Sequence, residues 1–135
     1  MNLDQVKIIN LPKIVDKRGN LSFVEEFTHV PYKIERTYWI YDVPGGDIRG
    51  GHAYYENMEF IIALSGSFDV ILDDGKQKKK YHLNRSYYGL LVPKMLWREM
   101  DNFSTNSLAV VLASTSYNEK DYIRDYTLFK RLTNE

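Results

Sequence analysis

The residues best suited to chemistry cluster around His52, in Arg49-Gly50-Gly51-His52-Ala53-Tyr54. Five residues separate Gly46 from His52, and one separates His52 from Tyr54. Four more precede Glu59, and six lie between Glu59 and Gly66. An imidazole, a phenol and a carboxylate at this spacing raise the question of a divalent-ion site. Gly89, Pro93 and Asn102 mark a later segment that holds Arg98. Neutral tyrosine is a poor ligand and a guanidinium repels a divalent ion, so His52 and Glu59 alone do not make a tight site. Neither a metal nor a cofactor is expected.

What remains is a barrel mouth lined by His52, Tyr54, Arg49, Arg98 and Trp97. Arginines fork onto phosphates, and an aromatic ring stacks on a base or a sugar. A histidine with a pKa near 6.5 moves protons at neutral pH. Taken alone, the same residues also fit a blander reading, with His52 satisfied in the core and Arg49 an exposed ion-pair partner.

The elements that must position these residues read as β-strands. Short apolar runs at 6–9, 21–23, 34–41, 59–64, 67–72, 79–83, 89–92 and 108–114 alternate with turn signals, the pattern of a sandwich or barrel. Pro44-Gly45-Gly46 is a turn, and Asp73-Asp74-Gly75 suggests a type I′ hairpin. Lys76, Lys78, Lys79 and Lys80 follow it, as on a solvated strand that resists edge pairing. Only the end looks helical. Ser116 and Glu119 have the spacing of a capping box, and Tyr122, Ile123, Tyr126 and Phe129 form an apolar stripe. Lys130 and Arg131 suit the negative end of the helix dipole.

Composition bounds the function. The chain of 135 residues suits one domain, residues 1–135, and its 44% hydrophobic content supports a core. Eighteen basic residues balance eighteen acidic ones, which argues against a nucleic-acid or membrane-surface partner. No cysteine is present, so thiolate metal sites are excluded. The amino terminus lacks a signal-peptide pattern and no apolar run approaches bilayer length. A cytoplasmic protein is expected.

The spacing from Gly46 to Gly66 resembles the first motif of the cupin superfamily. Over nearly its whole length the chain resembles the cupin-type nucleotide-sugar 3,4-ketoisomerases, the WxcM-like, FdtA and QdtA type. The resemblance is carried by segments 14–21, 36–42, 49–53, 70–75 and 97–100, then Leu112-Ala113-Ser114 and Asp121-Tyr122-Ile123-Arg124-Asp125-Tyr126. It implies an all-β, metal-free jelly-roll barrel with one short C-terminal helix, working as a homodimer in deoxysugar and surface-polysaccharide biosynthesis. The implied reaction moves the keto group of a dTDP-4-keto-6-deoxyhexose from C4 to C3 through an enediol. By position, His52 matches the first histidine of the family's H-A-H motif. Arg49 is expected at the diphosphate, Arg18 near the sugar or nucleotide, and Tyr38 on a strand lining the pocket. Tyr54 and Arg98 stand where the family has histidines, at the reaction end. Two alternatives stay open. One is a nucleotide-sugar-binding module without turnover, and the other is an isomerase or epimerase of another nucleotide sugar, which a pocket widened at Gly51 would admit.

Overall fold

Two antiparallel five-stranded sheets face each other in a computed structural model that describes residues 2–134. After a 3-10 turn at Asn2–Gln5 come β1 (Lys7–Asn10), β2 (Lys13–Ile14), β3 (Leu21–Ser22), β4 (Arg36–Tyr41), β5 (Arg49–Tyr54) and β6 (Glu59–Ser65). The chain continues through β7 (Phe68–Asp73), β8 (Lys78–Leu83), β9 (Tyr88–Val92), β10 (Trp97–Asp101) and β11 (Leu108–Ala113). It ends with β12 (Tyr122–Ile123) and the helix α1 (Tyr126–Thr133). One sheet has the order β1-β9-β6-β11-β4, the other β12-β5-β10-β7-β8, and β2 and β3 form a separate hairpin.

Alternation along the strands puts the core between the sheets. Ile61, Ala63, Leu90, Val92, Ala109 and Val111 from the first sheet meet Phe68, Val70, Leu72, Leu83 and Met100 from the second. Part of the outer face of the first sheet is covered as well. Val30 and Tyr32 pack there with Phe60, Ile62 and Leu112, and the Tyr32 hydroxyl donates to the Leu112 carbonyl at 2.6 Å. That double burial is why β6 reads as a continuous apolar run rather than an alternating one.

The predicted strands correspond to β1, β3, β4, β6, β7, β8, β9 and β11. The sequence reading assigned neither β5 nor β10, which carry His52 and Arg98. β5 is glycine-rich and β10 is charged, so neither shows the apolar pattern of a strand. The hairpin after β7 also differs from expectation. Asp74 N–H donates to the Gln77 carbonyl at 3.1 Å, and of residues 74–77 only Gly75 has a positive φ, so the turn is not type I′, which needs two such residues. At the C-terminal end the capping box does not form. Asn118 caps a 3-10 turn at Glu119–Asp121, and α1 starts only at Tyr126, where Asp125 accepts from Thr127 N–H and Leu128 N–H. Tyr122 and Ile123 pair with Tyr54 and Ala53 of β5. They therefore alternate between two faces rather than share a helical stripe.

Candidate functional site

A β-bulge sets the floor of the site. Arg98 of β10 lies opposite His52 of β5, Glu99 lies opposite Gly50, and Gly51 is the extra residue between them. Both glycines have positive φ, +96° at Gly50 and +80° at Gly51. A Cβ on Gly50 would stand 2.8 Å from the Arg98 carbonyl oxygen, so the two backbones approach only because none is present. Beyond the bulge, His52 and Tyr54 point inward from the same face of β5.

The facing sheet supplies the other wall. Arg36 pairs with Ala113 and Ala113 with Glu59, so Arg36 and Glu59 share one row. Tyr38 lies two residues along the same face of β4. Arg98 and Glu59, 2% and 1% exposed, form a buried ion pair through Arg98 Nη1 and Glu59 Oε1. Tyr38 joins them: its hydroxyl accepts from Arg98 Nη2 at 2.8 Å and donates to Glu59 Oε2 at 2.5 Å. Asn57 Nδ2 donates to the same carboxylate oxygen at 3.1 Å.

Above this network lies a cavity of about 570 Å³. His52 Nε2 is 3.1 Å from the Tyr54 hydroxyl oxygen. The rings of His52, Tyr54 and Tyr122 touch one another, with centroids 4.7 to 5.1 Å apart. Burial, then the guanidiniums of Arg98 and Arg124, lower the pKa of His52 to about 3. The imidazole is therefore neutral at physiological pH, with one lone pair for a proton. Burial above all pushes the Tyr54 hydroxyl far above the usual tyrosine range. It stays protonated and can donate to a developing oxyanion.

Of the residues singled out from sequence, His52, Tyr54, Tyr38, Arg49 and Arg98 line this one cavity. Trp97 does not. Neighbours on a strand point to opposite faces, so with Arg98 inward Trp97 turns outward. It is buried against Tyr126 and Phe129, with ring centroids 5.2 and 5.8 Å away. Arg18 also lies outside the cavity. It sits between β2 and β3 with its side chain 90% exposed, bonded to Asp16 at 2.9 and 3.1 Å.

Sequence reasoning missed Arg36, Tyr117, Tyr122 and Arg124, all of which line the cavity. Arg36 had a usable signal, since it precedes Tyr38 by two on a strand. Tyr122 and Arg124 were hidden by the helical reading of their segment. Arg124 lies over the Tyr122 ring at 4.3 Å and donates to Glu119 at 2.6 and 3.1 Å.

The donor set does not fit a metal ion. Glu59, the one carboxylate at a ligand position, is committed to Arg98, Tyr38 and Asn57. Among the described residues no three His, Asp or Glu side chains are grouped to hold an ion.

A two-sheet antiparallel jelly roll with these residues at the motif positions defines a cupin-type barrel whose ligand positions hold an organic hydrogen-bond network. Within that class, the chain belongs to the FdtA family, whose model (WxcM-like, C-terminal) matches residues 4–134. A curated relative, the TDP-4-oxo-6-deoxy-α-D-glucose-3,4-oxoisomerase of Aneurinibacillus thermoaerophilus, is 42% identical over 93% of this chain and 90% of its own length. Among solved structures, a 3,4-ketoisomerase from Helicobacter canadensis superposes with a TM-score of 0.93 at 42% identity, covering 96% of this chain and 98% of its own. A mutant of the 3,4-ketoisomerase QdtA from Thermoanaerobacterium thermosaccharolyticum, in complex with TDP-4-keto-6-deoxyglucose, superposes with a TM-score of 0.94 at 32% identity. That match covers 96% of this chain and 94% of the mutant.

Proposed function

We propose that this chain is a sugar-nucleotide 3,4-ketoisomerase acting on a TDP-linked 4-keto-6-deoxyhexose. The observation that carries the reading is the neutral imidazole of His52, held against Tyr54 in a cavity lined by four arginines. The 3,4-ketoisomerase activity of relatives matching nearly the whole chain supports it.

The C3 proton of the substrate is acidic because it is α to the C4 ketone. His52 takes that proton, and the electron pair of the C3–H bond forms the C3–C4 double bond as the C4 carbonyl oxygen becomes an enediolate oxygen. The Tyr54 hydroxyl and the Arg98 guanidinium stabilise this charge at the buried end of the cavity. Return of the proton from His52 to C4, with transfer of the hydroxyl proton from O3 to O4, leaves the ketone at C3. Proton and electron count are conserved, so no redox partner takes part. One base serves two adjacent carbons because both lie on the ring face presented to it. Arg49 contacts the diphosphate, whose remote binding energy positions the ring.

The same reading places the protein in the cytoplasm, making a deoxysugar for surface polysaccharide, and as a homodimer. No helix among the described residues is long and apolar enough to cross a membrane. Ile14, Val15, Leu21, Phe23 and Trp39 are exposed apolar side chains around the outer face of the first sheet, a surface that a second copy would cover. Substrate binding by Arg18 requires that second copy to deliver it, since within one chain it faces solvent.

The test is incubation with freshly prepared TDP-4-keto-6-deoxyglucose in heavy water, followed by NMR. The expected result is deuterium incorporation and a 3-keto product. Tight TDP binding with neither exchange nor product would favour a binding module instead, and the absence of both binding and turnover overturns the reading.

A further inference from the structure

Arg36 has no role assigned by motif, and two features of its surroundings set it apart. Its Nε–H is buried and has no hydrogen-bond partner among the described residues. Arg98 Nε, in the same cavity, is in the same condition. A buried donor left unpaired costs about 1–3 kcal/mol, so two orphan guanidinium N–H groups in one cavity point to acceptors that arrive with a ligand. The Arg36 guanidinium is also held in place. It lies 5.4 Å from the Tyr38 ring centroid and 5.7 Å from that of Tyr117. Tyr117 in turn donates to Glu119 at 2.6 Å.

Charge narrows the acceptor. Four arginines line the cavity. Glu59 neutralises Arg98 and Glu119 neutralises Arg124. Arg36 and Arg49 have no ion-pair partner among the described residues, so two positive charges are left over. A nucleoside diphosphate sugar carries two negative charges on its diphosphate, and a third develops on a sugar oxygen as the enediolate forms.

We propose that Arg36 is a substrate-contacting residue whose Nε–H donates to an anionic oxygen of the nucleotide sugar. The assignment rests on the ketoisomerase reading above and adds to it a ligand contact that the motif does not carry. Either diphosphate oxygen or enediolate oxygen satisfies the chemistry, and the experiment separates them.

The variants are Arg36→Gln and Arg36→Lys. Each is assayed for TDP affinity by calorimetry, for steady-state turnover, and for thermal stability with and without TDP. A diphosphate contact weakens TDP binding roughly 10- to 100-fold in Arg36→Gln, the scale of a charge-assisted hydrogen bond. A sugar-oxygen contact leaves TDP affinity intact and lowers kcat by a similar factor. Either result supports the proposal. Arg36→Lys keeps the charge but lacks the fixed Nε–H, and it recovers little of the loss. The unliganded Arg36→Gln protein is no less stable than wild type, because an unsatisfied donor has been removed. Unchanged TDP affinity and turnover overturn the proposal while leaving the ketoisomerase reading intact. Full recovery by lysine, or a loss that only tracks a lower unliganded melting temperature, also overturns it. A wild-type protein that neither binds TDP nor turns over removes both.

Discussion

Glu59 and Arg98 occupy two positions that would hold a metal in the parent motif, and here they neutralise each other. Removing one partner of a buried pair leaves a charge stranded, at a cost of roughly 3–5 kcal/mol. Glu59→Gln should therefore lower stability by about that much in urea unfolding, whereas Glu59→Met with Arg98→Met should recover most of it. If Glu59→Gln unfolds at the wild-type midpoint, the pair is not what holds Arg98 in the floor. His52 gives a second prediction at this scale. An ordinary imidazole base loses activity as pH falls through about 6.5, because protonation removes its lone pair. With its pKa lowered to about 3 by burial and by Arg98 and Arg124, His52 stays neutral throughout that range. We expect kcat/KM for the TDP-linked ketosugar to change by no more than about twofold between about pH 7.5 and 5.5. A tenfold drop there would mean that the imidazole is not in the environment described.

At the scale of elements, the bulge on β5 decides whether the base and the guanidinium meet. Gly50 is required twice over, by its φ of +96° and by the Arg98 carbonyl 2.8 Å from where a Cβ would stand. Gly51 is required only by its φ of +80°, since nothing lies within 4 Å of its Cβ position. Gly51→Ala should therefore cost about 1–2 kcal/mol, the strain of a left-handed residue, with the cavity intact. Gly50→Ala should cost more and should also separate β5 from β10, so that turnover falls further than folding stability does. Equal effects from the two substitutions, measured side by side by unfolding and NMR turnover, would show that the close backbone approach is unimportant. The C-terminal segment works as a second element. Tyr122 faces the cavity while Ile123 and Phe129 anchor the other face against Ala53 and Trp97, so α1 holds the cavity wall in place without entering it.

For the whole molecule, the two sheets close a core and leave a polar cavity between them, while apolar side chains remain outside on and around the first sheet. A folded chain with that surface uncovered is prone to associate. Light scattering should give twice the chain's mass of 15.9 kDa. Charged substitutions at Phe23 and Trp39 together should shift it to the monomer, without unfolding since both are exposed. A wild-type protein that is monomeric at micromolar concentration would contradict the homodimer and leave Arg18 without a route to any site.

Much of this was legible in the residues themselves. Eight strands announced themselves because their side chains are β-branched or aromatic and bounded by turn residues. The resemblance of the spacing around His52 to a known motif pointed to the cavity floor, although β5 itself was not legible as a strand. What sequence could not decide was contact between positions far apart in the chain. The opposition of His52 and Arg98 depends on a bulge that hydrophobic patterning does not record, in two strands that carry no apolar signature. Trp97 and Arg98 are adjacent letters that a strand sends to opposite sides. Tyr122 and Ile123 satisfy a helical spacing as well as an alternating one, and only their pairing with β5 selects between them. Local chemistry named part of the list of functional groups. Long-range pairing, set by the burial of both sheets at once, chose which of them face the same space.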